Sequence, residues 1–148
     1  MPYYATSEDG RYILVMSQDT YPESPRTWSN LGTMVYWHRN WILGDEHPKS
    51  GPEQWAQDFG VSLRGGEAED EEWAEEAEDS EIWEVIRENA IVLPLYVYEH
   101  GGITMNTRGF SCPWDSGQVG WIYVTHKDVE GEYGDLSEET LKKVEEYL

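Results

Sequence analysis

The stretch IVLPLYVY, residues 91–98, predicts a β-strand more strongly than any other part of this sequence. Valine, isoleucine and tyrosine favour strands because their side chains pack well on a pleated surface. The pair Gly101-Gly102 then predicts a tight turn, and residues 103–106 are expected to return as an antiparallel partner strand. The whole apolar run, residues 90–98, contains Pro94 and is too short to cross a bilayer.

Three further strands are predicted outward from this hairpin. Residues 11–16 contain the continuous apolar run of a buried strand, and residues 33–37 and 121–125 are rich in β-branched and aromatic side chains. Turn-forming residues predict loops over residues 19–30, 40–51 and 107–120.

Three helices are also predicted. Residues 52–59 begin with Pro52 and should end at Gly60, with Trp55 and Phe59 on one face. Residues 126–133 should stop at Gly134, and Ser137 should cap a last helix with an apolar stripe. Because strands and helices do not alternate regularly, we predict one α+β domain over residues 1–148, with a mostly antiparallel sheet and flanking helices.

The segment 67–88 is exceptionally acidic: twelve of its 22 residues are Asp or Glu, and Arg87 is its one basic residue. We predict an acidic helical insert over residues 67–89. Its apolar residues fall on two nearly opposite sides of a single helix, Trp73 on one and Ile82 on the other. We therefore expect a break near Asp79, with Ser80 capping the second helix.

Composition restricts the possible functions. The net charge is −20, and the ten basic residues are scattered, which argues against direct binding of nucleic acid or anionic membranes. Eight Trp and ten Tyr favour a folded core over disorder. A single cysteine, Cys112, cannot form an internal disulfide, and no secretory signal is visible at the N-terminus. These features together predict a cytoplasmic protein.

Two blocks of the sequence resemble an uncharacterised protein family of bacteriophages and other mobile elements. The first is ESPRTWSNLGTM (residues 23–34), continued by WHR (37–39) and LGDEH (43–47). The second is LPLYVYEHGGITM (93–105), continued by GFSCPWDSGQVGWIYV (109–124). The resemblance covers about half the chain. It implies a mobile-element origin and a host-cell location, and it implies no catalytic residues. The acidic segment lies between the two blocks.

Carboxylates at this density repel one another and exceed what solubility requires. We therefore predict an acidic binding protein that mimics nucleic-acid charge and inhibits a host restriction or CRISPR system. One 22-residue helix would carry a charge per about 2.8 Å, near the spacing of one DNA strand at about 3.4 Å; matching a duplex would need other acidic faces or a homodimer. The predicted partner contacts are Glu71, Glu72, Trp73, Glu75, Glu76, Glu78, Asp79 and Trp83.

Other functions remain open at this stage. The acidic helix could simply be solvated, in an accessory protein whose charge aids solubility. A small phage hydrolase or a metal-assisted enzyme could use Cys112 and Asp115, with His100 or His126 as base, although a structural loop is the simpler interpretation. His38, Asp45, Glu46 and His47 match no strong metal-site template. We accordingly predict no catalytic residues, no metal and no cofactor.

Overall fold

The strand predicted at residues 91–98 lies inside a four-stranded antiparallel sheet in the computed structural model, which describes residues 2–24, 26 and 30–148. The strands are β1 (Tyr3–Thr6), β2 (Ile13–Met16), β3 (Thr33–Tyr36), β4 (Ala90–Glu99), β5 (Ile103–Asn106) and β6 (Ser116–Thr125). The helices are α1 (Pro52–Arg64), α2 (Ala68–Glu76), α3 (Asp79–Asn89), α4 (His126–Tyr133) and α5 (Glu138–Tyr147). The predicted α+β class is confirmed. The predicted loop at 19–30 and the first resembling block both include residues 25 and 27–29, which lie outside the described residues.

The sheet has the order β3-β6-β4-β5. Strands β4 and β6 pair from Ala90 opposite Thr125 to Tyr98 opposite Ser116. Proline is tolerated at position 94 because β5 pairs only with residues 96–99, so among the described residues no strand lies beside that side of β4 at Pro94. The predicted hairpin is confirmed, and Gly101 takes the positive φ of +70° that its turn requires.

The loop predicted over residues 107–120 is shorter in the structure because β6 already begins at Ser116. Gly117 and Gly120 indicated a loop, yet both lie in the strand. Gly120 pairs with both Tyr36 and Leu95. A Cβ atom at position 120 would lie 1.9 Å from the Val35 carbonyl oxygen. This glycine therefore serves the close approach of β3 rather than a turn.

Helices α1 and α3 cover one face of the sheet and form the larger core. Its buried members are Val35, Trp55, Ala56, Ile82 and Ile86. Trp55 and Phe59 stack with 5.1 Å between ring centroids, as their predicted common face requires.

Helix α1 does not end at Gly60, contrary to the sequence prediction. It continues to Arg64 and is terminated by Gly65, which has φ +133° and donates its N–H toward Ser62 and Val61. Gly60 is buried against α3, where an added Cβ would lie 3.3 Å from Ile82 Cγ2. A close helix contact explains this glycine.

A smaller core joins the C-terminal helices to the sheet. Val124, Val129 and Val144 are its buried members, and Leu141 and Leu148 pack against them. Both predicted helix signals here are confirmed: Gly134 ends α4 with φ +79°, and the Ser137 hydroxyl accepts the Thr140 N–H at the start of α5.

Strand β2 does not form part of this sheet. It pairs with β1, which the sequence did not predict, in a separate two-stranded sheet. The predicted buried strand at residues 11–16 is wrong in its burial, since the side chains from Ile13 to Met16 are 52–70% exposed. The local hydrophobic pattern predicted the strand correctly, but it carried no information on whether another part of the chain would pack against the strand.

The acidic segment forms two helices with a break, as predicted, but the break lies at Ala77 and Glu78. Glu78, rather than Ser80, occupies the N-cap position of α3. Ala77 is extended, with ψ of 143°, and this turn redirects the chain. As a result, Trp73 on α2 and Ile82 on α3 both pack into the same core beside α1.

Candidate partner-binding surface

The six carboxylates predicted to contact a partner are all exposed. Four lie on α2, Glu78 lies in the turn, and Asp79 is the first residue of α3. Among the residues that the structure describes, none of the six takes part in an ion pair. Their charges are therefore presented to the surroundings without neutralisation. We call these six residues the acidic surface.

Local chemistry starts helix α2 despite its like charges. The Glu67 N–H donates to Asp70 Oδ2 over 3.1 Å, and the Glu67 side chain accepts from the Asp70 backbone, which together form a capping box. Acidic residues in a first turn also interact favourably with the helix dipole. At the other end of α2, Glu75 and Glu76 meet the negative pole of the dipole, which is unfavourable.

Asp70 differs from the other carboxylates of α2 because it is buried. The Arg64 guanidinium donates its Nε–H to Asp70 Oδ1 over 3.0 Å. This bond, followed by the Glu67 N–H, holds the pKa of Asp70 below its ordinary value of 3.8. Asp70 therefore serves the junction between α1 and α2, and it does not belong to the acidic surface.

The two tryptophans predicted as partner contacts are placed differently from the carboxylates. Trp73 and Trp83 are partly buried and pack against the larger core. Arg64 lies 4.2 Å from the Trp73 ring centroid, and the Trp83 and Trp121 centroids are 5.0 Å apart. Their rings thus stabilise the helices that display the acidic surface.

The cations of this helical layer are already engaged. Residues 52–89 contain fourteen acidic and two basic residues, Arg64 and Arg87. Arg64 binds Asp70 and lies over Trp73, while Arg87 lies 5.9 Å from the Trp83 ring centroid. Both arginines lie on aromatic rings in a cation–π arrangement. The layer therefore keeps a large excess of exposed negative charge.

A groove of about 480 Å³ separates α1 from α2 beside the acidic surface. Asp58, Glu71 and Glu75 are the carboxylates that line it, and Gln57 bridges it by donating to the Ala74 carbonyl over 3.3 Å. Asp58, which was not among the predicted contacts, lies on α1, accepts a hydrogen bond from Gln54 over 2.9 Å, and lines the groove together with Glu71 and Glu75. The groove can receive a lysine or arginine side chain between three carboxylates.

The loop proposed for an enzyme brings three of its four candidate residues together. The Cys112 thiol donates to Asp115 Oδ2 over 3.8 Å, and the His100 Nδ1 atom lies 3.3 Å from the same oxygen. His126 begins α4, at the opposite end of β6 from Ser116. The carboxylate thus lies between the thiol and the imidazole, and the Ser116 hydroxyl donates to the Cys112 carbonyl, which braces the turn.

The possible metal ligands around Asp45 have structural partners. Asp45 forms an ion pair with Arg26 and accepts the Met34 N–H over 2.8 Å. His38 Nε2 lies 2.8 Å from Glu99, and His47 stacks on Tyr36. Within residues 2–24, 26 and 30–148, no group of three or more His, Cys, Asp or Glu side chains is arranged to hold a metal ion.

Comparison with known proteins adds no identity: no family model, curated protein or solved structure matches this chain. A membrane-spanning helix is likewise not found in the part of the chain that the structure describes. The geometry and charge of the surfaces themselves are therefore the basis for inferring a function.

Proposed function

We propose that this protein is an acidic binding protein that occupies the cationic nucleic-acid-binding surface of a host restriction or CRISPR protein. The observation that carries the proposal is the acidic surface: six exposed carboxylates with no ion-pair partner among the described residues, on two helices and the turn between them, which the core holds in place. The two sequence blocks that resemble mobile-element proteins support a role against host defence. The inhibition is competitive, because carboxylates take the positions of phosphates opposite lysine and arginine.

The charge spacing along α2 suits this role. Five exposed carboxylates, those of residues 69, 71, 72, 75 and 76, lie on a nine-residue helix. At 1.5 Å per residue this is one charge per about 2.7 Å, between the values for a DNA duplex and a single strand, about 1.7 and 3.4 Å. The helix fixes these charges before binding, so little ordering entropy is lost when a partner binds.

The groove between α1 and α2 gives the surface a point of closer contact. A lysine or arginine side chain of the partner enters it and is surrounded by Asp58, Glu71 and Glu75. The groove is polar, and Gln54 and Gln57 offer further hydrogen-bonding groups beside the carboxylates. The specificity of the complex then depends on this depression as well as on the overall charge.

The first test is charge reversal on the acidic surface. Replacing Glu71, Glu72, Glu75 and Glu76 by lysine changes the net charge from −20 to −12, since each replacement adds two charges. A matched control with the same net charge replaces Glu130, Glu132, Glu145 and Glu146, which are exposed on α4 and α5. Both variants are expressed in bacteria that carry a restriction or CRISPR system, and the plating efficiency of a sensitive phage is measured.

We expect the wild-type protein and the control to protect the phage, and the acidic-surface variant to lose protection while keeping its circular dichroism spectrum. Proteins captured from the same lysate by the wild type should elute with salt and with duplex DNA, because both compete for the cationic site. Equal protection by both variants, or captured proteins that DNA does not displace, contradicts the proposal.

A second candidate function rests on the contacts of Asp115 with Cys112 and His100. A small hydrolase would use these three residues, with the thiol as nucleophile. The Cys112→Ser variant separates the two functions, since an enzyme would lose turnover, whereas a charge mimic would keep its binding and its inhibition. An accessory protein whose acidity aids only solubility would capture no partner from lysate at either low or high salt.

A further inference from the structure

The β1–β2 hairpin is the most apolar exposed part of the described chain. Seven large side chains in or next to its strands are 52–71% exposed. They are Tyr3, Tyr4, Tyr12, Ile13, Leu14, Val15 and Met16. A two-stranded hairpin is marginally stable in water by itself, so this hairpin is expected to gain stability when another surface covers it.

Both faces of the hairpin are apolar. Tyr3 pairs with Met16 and Ala5 with Leu14, so these side chains share one face. Tyr4 pairs with Val15 on the opposite face, beside Ile13. A strand with one face on a core normally has polar residues on its other face. The pattern here indicates a hairpin that is enclosed from both sides.

The exposed area is the amount that a stable dimer requires. Three of the seven side chains are tyrosines, and an aromatic side chain has about 150–250 Å² of surface to bury. With the four smaller aliphatic side chains, also more than half exposed, the two faces together present roughly 700 Å² per copy, close to the approximately 800 Å² that each partner contributes to a standard interface.

The charge distribution favours a second copy as the occupant. Residues 2–18 contain Glu8, Asp9 and Arg11, and Arg11 lies 3.7 Å from Asp9, so the hairpin is almost neutral in a chain of charge −20. A cationic partner is attracted to the acidic helices instead. Two like-charged copies can approach closely only through a neutral, apolar element.

We propose that two copies of this protein associate through their β1–β2 hairpins about a two-fold axis, each copy covering both faces of the other copy's hairpin. Such an interface is isologous and therefore closes at two copies. Nine residues separate β2 from Arg26, which is held beside β3 by Asp45 and the Gly32 carbonyl, and this length can span up to about 33 Å when extended. The hairpins can therefore meet while the acidic helices of the two copies remain apart.

The test is sedimentation velocity at micromolar concentrations, in low salt and in about 0.5 M NaCl, where long-range repulsion is screened. Two single variants test the hairpin: Leu14→Glu places a charge on one face, and Val15→Glu places a charge on the other. Ile42→Glu is the control, since Ile42 lies outside the hairpin and is 90% exposed. Tryptophan fluorescence during urea unfolding checks the rest of the fold, because the hairpin contains no tryptophan.

We expect a wild-type dimer that strengthens with salt, a dimeric Ile42→Glu variant, and at least a tenfold weaker dimer in one or both hairpin variants. A wild-type protein that stays monomeric in high salt would show that the hairpin covers a different partner and would overturn the proposal. Dimers unaffected by both hairpin charges, a control that is monomeric, or open-ended assembly would also overturn it.

Discussion

Arg64 on α1 donates its Nε–H to Asp70 on α2 over 3.0 Å, and the same guanidinium lies over the Trp73 ring. One cation thus contacts two residues of the most acidic helix and ties that helix to its neighbour. Helix α2 carries two pairs of glutamates at four-residue spacing, Glu71 with Glu75 and Glu72 with Glu76, and each pair is repulsive. The Arg64 contacts and the packing of Trp73 oppose this repulsion.

The first prediction concerns the pH dependence of the Asp70 contribution. Its folded-state pKa lies below the ordinary value of 3.8, mainly because of the Arg64 bond. A lowered pKa means that the carboxylate stabilises the fold above about pH 4 and that this contribution is lost as the pH falls through the folded-state pKa. We expect Asp70→Asn to be less stable than the wild type at pH 7, with the difference shrinking below pH 4.

Urea unfolding followed by circular dichroism between pH 7 and pH 3 provides the measurement. Asp79→Asn is the matched control, since Asp79 is exposed and has no ion pair among the described residues. A stability difference for Asp70→Asn that stays constant across this pH range would show that the Arg64 contact does not depend on the carboxylate charge.

The second prediction is that the acidic surface costs stability. Glu75→Lys replaces a repulsion with Glu71 by an attraction at four-residue spacing, and it places a cation near the C-terminus of α2. We expect the free energy of unfolding to rise by about 0.5–1.5 kcal/mol at low salt, summing the usual values for both effects. Denaturant unfolding at low salt and in 1 M NaCl measures the gain and its screening.

Glu69→Lys makes the same charge change in the first turn of α2, where the helix dipole favours an acidic residue. This variant should be less stable than Glu75→Lys. If the two variants were equally stable, overall charge rather than position on the helix would set the stability of the acidic segment.

The sequence predicted correctly the helix ends that depend only on nearby residues. Gly134 ends α4 by adopting a positive φ, and Ser137 starts α5 with a side-chain cap. Both residues were identified from the sequence. The break in the acidic segment was predicted because two apolar sets cannot face one core from one straight helix. Its position shifted because Ala77, which has no turn preference, adopts the extended conformation.

The errors arose where a distant part of the chain determines the role of a residue. Gly60 is predicted from the sequence to end a helix and Gly120 to lie in a loop. In the structure each glycine is needed because another element comes close, Ile82 of α3 to Gly60 and Val35 of β3 to Gly120. The same limit applies to the candidate surface. The exposure of its carboxylates followed from their charge, whereas the contribution of Asp58 depended on how α1 and α2 pack to form the groove that Asp58 lines.

The third prediction distinguishes the two roles considered for Trp83. The Trp83 ring packs 5.0 Å from the Trp121 ring in the larger core. Trp83→Ala should therefore lower the free energy of unfolding by about 2–4 kcal/mol, toward the lower end of the range for truncating large core side chains. Trp114→Ala is the control, since Trp114 is 89% exposed, and it should change stability by less than about 0.5 kcal/mol. Urea unfolding followed by circular dichroism avoids the loss of a fluorophore. If Trp83→Ala left the stability unchanged, a role for Trp83 in contacting a partner, rather than in the core, would be favoured.

The fourth prediction concerns the contact between β3 and β6. A Cβ at position 120 would meet the Val35 carbonyl oxygen at 1.9 Å and the Tyr36 Cα at 2.8 Å, and these are backbone atoms that cannot rotate away. Gly120→Ala must therefore separate the two strands, and we expect a loss of about 3 kcal/mol or more, at the upper end of overpacking effects. Gly117→Ala adds the same methyl group in the same strand, where nothing lies within 4 Å, so it should cost far less. Thermal unfolding of both variants measures the difference, and similar melting temperatures would show that β3 does not approach β6 this closely in solution.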